Sequence, residues 1–151
     1  MAEIEGYNMP DELYYHEEGA WVKVEGDTVR VGLNDHFQQS AGDIVYVDLP
    51  FEGDDIEEGD GFGKVQSSKW IGKLIAPLGG TIEEVNYELD SDSTIINKDP
   101  YGEGWVAVIT PSDLDAALEG MAHGVEAVTE FIKRQNEKAE QIKAVGGGAE
   151  E

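Results

Sequence analysis

From Trp21 the chain reads Trp-Val-Lys-Val-Glu-Gly-Asp-Thr-Val-Arg-Val-Gly-Leu, with Val22, Val24, Val29 and Val31 at every second position around a Gly26-Asp27 pair. Period two around such a turn signal predicts a β-hairpin. Residues 34–41 read as a short helix or a turn. Residues 43–49 are an apolar-rich strand, stopped by Pro50 because the residue before a proline is driven to extended backbone and the proline has no N–H to pair. Further short strands are expected at 61–67, 70–76, 81–85 and 104–110, punctuated by Gly53, Gly59, Pro77, Gly79, Gly80, Pro100 and Gly102. Many short strands between turn residues suggest a β-sandwich or a flattened barrel.

The period changes near the C-terminus. Ser112 followed by Asp113 makes an N-cap before Leu114, Ala117 and Leu118, and Gly120 interrupts that short helix. After Gly124 a longer amphipathic helix runs to about Val145, with Val125, Val128, Phe131 and Ile132 on one apolar stripe that is expected to pack on the sheet. Past Lys133 the pattern weakens, and the last turns are expected to project into solvent. Gly146, Gly147 and Gly148 with the terminal glutamates read as a fraying tail.

One domain suffices for 151 residues. Thirty-three acidic against ten basic residues give a net charge of −23, which argues against nucleic acid and against anionic membranes, since both are bound by clustered Lys and Arg. The charge itself reads as a solvated surface. With no cysteine, neither disulfides nor thiolate chemistry are available to the protein, and redox work would need a cofactor. Residues 1–10 show no basic start followed by an apolar run, and no window approaches the ~20 apolar residues of a membrane span; a cytoplasmic location is expected.

The stretch that carries chemistry is Gly59 to Asn86, in which Lys69 lies between two short apolar strands flanked by glycine. That arrangement places Lys69 at a hairpin tip, reachable by a modifying enzyme, or makes it a plain exposed turn lysine. The residues Gln66-Ser67-Ser68-Lys69-Trp70, with Ala76-Pro77-Leu78-Gly79-Gly80 after them, resemble the lipoyl-lysine hairpin of glycine cleavage H proteins, usually Glu-Ser-x-Lys-Ala followed by Ser-Pro-x-Ser-Gly. Two further blocks are similar to the family's: Gly32 to Gln38 with Gly42 to Pro50, and Asn97-Lys98-Asp99-Pro100-Tyr101-Gly102-Glu103-Gly104-Trp105, against N-x-DPYGEGW. The resemblance covers roughly residues 21–113. It implies a mostly β fold, the lipoyl-type barrel-sandwich hybrid (a flattened β-barrel) with short helices and a C-terminal amphipathic helix. It further implies lipoic acid bound covalently to Lys69, with Ser67, Ser68 and Trp70 beside it and His36 in the arm's resting cleft. The division expected is an N-terminal extension at 1–20, a lipoyl-carrier domain at 21–145 and a flexible tail at 146–151.

Departures from the family pattern bear on the cargo. Where H proteins usually have His-Glu-Trp, and the resemblance implies that the glutamate helps hold the amine of an aminomethyl-lipoyl arm, this chain has Gly19-Ala20-Trp21. A methyl group accepts no hydrogen bond. Lys73 stands where plant-type H proteins have an aspartate near the cargo, Gln66 replaces a glutamate, and Trp70 replaces a small residue. Taken singly, Ala20 and Lys73 read as drift and His36 as a satisfied histidine beneath a loop, whereas Trp70 is a large aromatic at a hairpin tip that either shields the arm or meets a partner. The lipoate-binding proteins of the heterodisulfide-reductase-like sulfur oxidation pathway, which are similar to H proteins, share a Lys-Trp pair at this place. The departures together favour a non-catalytic carrier of sulfur-bound intermediates in such a system, with the aminomethyl carrier of glycine cleavage as the alternative. Expected partners are a lipoate ligase or transferase, a heterodisulfide-reductase-like complex or the glycine cleavage enzymes, and dihydrolipoamide dehydrogenase.

Other classes fit less well. His16, His36 and His123 fall in no metal-ligand spacing, and Asp90 and Asp92 match a calcium loop only loosely. A biotinyl carrier would have methionine on both sides of its lysine, where Ser68 and Trp70 stand. An unmodified interaction module remains the reading in which Lys69 carries nothing.

Overall fold

The structure, a computed structural model, describes residues 2–4, 6–10, 12–17, 19–67 and 71–144; for residues 2, 3, 125 and 138–144 it describes the backbone alone. In chain order the elements are β1 Ala2–Ile4, β2 Tyr7–Met9, β3 Tyr14–Tyr15, β4 Ala20–Glu25, β5 Thr28–Leu33, α1 Asp35–Ala41, β6 Ile44–Asp48, β7 Asp55–Ile56, β8 Gly61–Ser67, β9 Ile71–Ile75, β10 Gly80–Val85, α2 Glu88–Ser91, α3 Ile95–Lys98, β11 Ala107–Pro111, α4 Leu114–Glu119 and α5 Val125–Ala144. A six-stranded sheet of order β3-β4-β5-β11-β10-β7 faces a three-stranded sheet of order β6-β8-β9, and β1-β2 form a separate ribbon. All pairings are antiparallel. The sheets do not join into a closed barrel among the described residues.

One core lies between the two sheets. Val22, Val29 and Val31 from β4 and β5 meet Ile44, Val47, Val65 and Leu74 from the smaller sheet, with Ile82, Ala107 and Ile109 beside them. The expected hairpin is present, with Val22 opposite Val31 and Val24 opposite Val29; Gly26 supplies the left-handed φ of 68° at its turn. Val24 nonetheless remains 39% exposed. Its neighbour β3 pairs only with Trp21 and Val22, so the far end of β4 is an uncovered edge.

A second core covers the outer side of β3 and β4. Ile4, Met9, Leu13 and Tyr15 pack there with Trp21 and with Val128, Phe131 and Ile132 of α5. The helical stripe therefore packs as expected, on a surface that the N-terminal ribbon helps to build. Each such side chain, taken fully out of water, contributes about 1.5–3 kcal/mol. The helix also stays docked beyond Lys133. Arg134 Nε donates to Glu17 Oε2 at 3.1 Å, Gln135 Nε2 donates to the Glu17 carbonyl at 3.0 Å, and Asn136 Oδ1 lies 2.9 Å from His36 Nε2. A polar latch replaces the apolar stripe there, and hydrophobic periodicity cannot register one.

Residues 34–41 resolve into a helix. Asn34 caps α1 by accepting from the Phe37 N–H at 2.8 Å, and Asp113 caps α4 in the same way through the Ala116 N–H, with Gly120 at its end. The last expected strand starts later than its apolar run: Gly104 belongs to the preceding turn, and β11 begins at Ala107. The glycine tail at 146–151 lies outside the described residues.

Candidate cofactor-attachment site

The hairpin of β8 and β9 is in register from Gly61 opposite Ile75 to Gln66 opposite Ile71, with a bulge between Gly61 and Gly63. Val65, Ser67 and Leu74 are buried, whereas Lys64, Gln66, Ile71 and Lys73 are exposed. Period two thus turns one face of the hairpin to the core and the other to solvent. The closed end of the hairpin is Ser68-Lys69-Trp70, and all three lie outside the described residues. Ser67, the fourth residue expected beside the arm, ends β8 at 5% exposure, opposite Ile44 of β6. The strands flanking the connection fit an attachment lysine: a rigid, register-locked ladder ends in a solvent-facing pair, Gln66 and Ile71, immediately before it.

His36 lies in the first turn of α1. It is 6% exposed, hydrogen-bonded to Asn136 and packed against the Tyr7 ring with centroids 4.6 Å apart. The N-terminal ribbon and α5 close over it. Ala20, at the position of the family's amine-holding glutamate, is buried in β4 opposite Leu33. It lines a small dimple with Val31, Gly32, Leu33, Phe62, Leu74, Ile75 and Val106, a set without any side-chain acceptor. Lys73 faces Lys64 directly across the hairpin, and Asp48 of β6 sits on the other side of Lys64.

The other two sequence blocks are brought together as a clasp rather than as a reacting centre. Asn97 Nδ2 donates to Gln38 Oε1 and to the Gly42 carbonyl, both at 2.9 Å, while its Oδ1 accepts from the Ile44 N–H at 2.8 Å. One amide therefore ties the end of α1 to the start of β6. Tyr101 hydroxyl accepts from the Asp35 N–H at 2.8 Å and donates to the Asn8 carbonyl at 2.6 Å. Burial pushes its phenol well above the ordinary range. Trp21, with no exposure, donates from Nε1 to the Pro100 carbonyl at 2.9 Å. A Cβ on Gly32 would lie 2.7 Å from that indole nitrogen, so only glycine admits the ring. Arg30 stacks its guanidinium 4.6 Å above Trp105.

Among the described residues no group of three or more His, Asp and Glu side chains is placed to hold a metal ion, and no helix is long and apolar enough to cross a membrane.

Two facing antiparallel sheets, with a β8–β9 hairpin whose last described pair, Gln66 and Ile71, faces solvent, form the architecture of a lipoyl-type carrier. Residues 13–135 match the glycine cleavage H-protein family. The chain is 47% identical over 115 residues to the glycine cleavage system H protein of Halalkalibacterium halodurans, covering 76% of this chain and 90% of that one. It is 44% identical over 110 residues to the H protein of Bacteroides thetaiotaomicron, covering 73% and 87%. Its fold matches the crystal structure of a glycine cleavage system H protein from Mycobacterium marinum at a TM-score of 0.73 and 30% identity, over 85% of this chain and 99% of that one. The chain belongs to the glycine cleavage H-protein family, whose members are non-catalytic carriers with lipoate attached covalently to a lysine.

Proposed function

We propose that this protein is a cytoplasmic lipoyl carrier of glycine cleavage, with the lipoyl group on Lys69 and the aminomethyl group as its cargo between glycine decarboxylase and aminomethyltransferase. The observation that carries the reading is the run of relatives, 41–47% identical over most of their own length and named glycine cleavage system H protein. Lys69 is the lysine that the sequence offers at the closed end of the β8–β9 hairpin. The dithiolane of the arm supplies the chemistry, opening to hold a group and closing again as a disulfide; the protein supplies attachment, reach and recognition. A chain without cysteine forms no mixed disulfide with its own arm. Dihydrolipoamide dehydrogenase would reoxidise it.

The carrier of a heterodisulfide-reductase-like sulfur oxidation system is the second reading. It rests on the departures around the cargo: Ala20 in an all-apolar dimple, and Lys73 where an acidic residue would face a cationic amine. The relatives described above are named glycine cleavage system H protein, and so it ranks second. Loading by glycine decarboxylase separates the two. Intact mass and peptide mapping are expected to find lipoate on Lys69, and the lipoylated protein is expected to accept the aminomethyl group from glycine and glycine decarboxylase. Lipoylated protein that is never aminomethylated would transfer the assignment to the sulfur system. An unmodified Lys69 in native material would remove both.

A further inference from the structure

Residues 16–20 turn the chain between β3 and β4. The His16 N–H donates to the Ala20 carbonyl at 2.9 Å and the Gly19 N–H to the His16 carbonyl at 3.0 Å, so two backbone hydrogen bonds close this corner. Its first two side chains reach different parts of the molecule. His16, only 8% exposed, holds Glu58, with Nε2 and Oε2 2.8 Å apart. Glu17 receives α5: Arg134 Nε donates to its carboxylate at 3.1 Å and Gln135 Nε2 to its carbonyl at 3.0 Å.

Glu58 belongs to the loop that leads into the β8–β9 hairpin. Beside it the Gly59 N–H donates to the Ala76 carbonyl at 3.0 Å, and the Ala76 N–H donates to the Asp60 carbonyl at 2.8 Å. These bonds continue the ladder just past its Gly61–Ile75 pair. His16 therefore pins the base of the hairpin to the corner that starts β4, at the end away from the connection that holds Lys69. The helix on the other side of the corner is held in two ways. Val128, Phe131 and Ile132 bury its first half. Beyond Ile132 the contacts are polar, to Glu17 and from Asn136 to His36. Arg134 is 50% and Glu17 40% exposed, and water weakens an ion pair so placed. The last turns can lift while the apolar half stays docked, an opening of local rather than global kind.

We propose that the corner at residues 16–20 is a relay between the end of α5 and the base of the β8–β9 hairpin. With the helix docked, Glu17 is held and His16 offers Glu58 a fixed support. With the helix lifted, the corner loses its tie on that side, and the hairpin base loosens. The two-state element is the end of α5, docked or lifted, which is what coupling over a distance requires. Coupling of this kind acts both ways, so freeing the pin also loosens the latch. A group carried on the hairpin is positioned only as well as the hairpin is supported. The relay itself does not depend on what Lys69 carries.

Amide hydrogen exchange on the full-length protein, read residue by residue, tests it. The latch variant is Arg134→Ala with Gln135→Ala, the pin variant is Glu58→Ala, and the two are also combined. Glu58 is 65% and Arg134 50% exposed, so both variants keep the core. The latch variant is expected to speed exchange about threefold or more at the Gly59 and Ala76 amides, whose bonds run within the hairpin base rather than to the helix. The pin variant is expected to do so by at least as much. Added to the pin variant, the latch variant is expected to change nothing further there, as for two links in series. By reciprocity the pin variant should also speed exchange at residues 134–137. Two controls should match wild type: the Val106 amide, bonded to Val31 in the larger sheet, and Glu130→Ala, which removes an ion pair within α5. Wild-type exchange at Gly59 and Ala76 in the latch variant, or latch and pin effects that simply multiply, would overturn the relay. Equal acceleration at Val106 would overturn it too, because a general loss of stability would then account for the change.

Discussion

The clasp around Asn97, Tyr101 and Trp21 and the outer face of the β6-β8-β9 sheet are built on opposite terms. In the clasp nearly every polar atom has a partner: Asn97 makes three hydrogen bonds, Tyr101 accepts one and donates one, and Trp21 donates its indole N–H. On the sheet face Tyr46 and Ile71 are more than half exposed, and two lysines oppose each other. Buried polar groups are satisfied because leaving one unmade costs about 1–3 kcal/mol. Exposed apolar groups cost the folded chain little. The motif that looks most distinctive in sequence thus serves the fold, while the plainer strands flank the lysine proposed to carry the arm.

The contrast can be broken first at Trp21. Truncation with Trp21→Ala removes a fully buried ring and orphans the Pro100 carbonyl; a loss of about 3–5 kcal/mol in urea or guanidinium unfolding is expected. A smaller loss of wild-type stability would mean that the clasp can collapse around the gap. Next comes Asn97→Ala, which leaves the Ile44 N–H and the Gly42 carbonyl without their partner, with an expected cost of about 1–3 kcal/mol.

Tyr101 sharpens the comparison through pH. Its phenol is raised by burial, a stabilised proton that the unfolded chain releases near pH ~10. The native state then holds more protons than the unfolded one, so stability should fall as the pH climbs past ~10. Tyr101→Phe is expected to lower stability by about 1 kcal/mol at neutral pH and to flatten that alkaline decline in urea midpoints measured from pH 8 upward. An unaltered slope would show that another group governs the alkaline limb. The smallest effect belongs to the other region: Tyr46→Ser should change stability by no more than about 0.5 kcal/mol, since its side chain faces outward at 56% exposure.

The hairpin from β4 to β5 and the cap at Asp113 were legible in the chain because their signals are local: period two, a Gly-Asp turn, a short polar side chain before an apolar run. The α5 stripe was legible for the same reason, up to Ile132. Its polar latch to Glu17 and His36 was not, because those partners lie about a hundred residues away. β11 begins at Ala107 rather than at Gly104, since an apolar run does not reveal that the Gly104 N–H closes a turn back to Asp99 and the Trp105 N–H one back to Gly102. The surroundings of His36 were not legible either, since the Tyr7 ring and Asn136 that pack on it come from the N-terminal ribbon and from α5.

By itself the sequence determined the carrier family, the strand content and the candidate lysine, since blocks and alternation are written residue by residue. Only the tertiary structure decided which side chains share a face. Strand register set Tyr46, Gln66 and Ile71 in one exposed row, and set Lys64 against Lys73. Register is a property of paired strands, fixed by turns, bulges and the buried face of each. No single segment contains it.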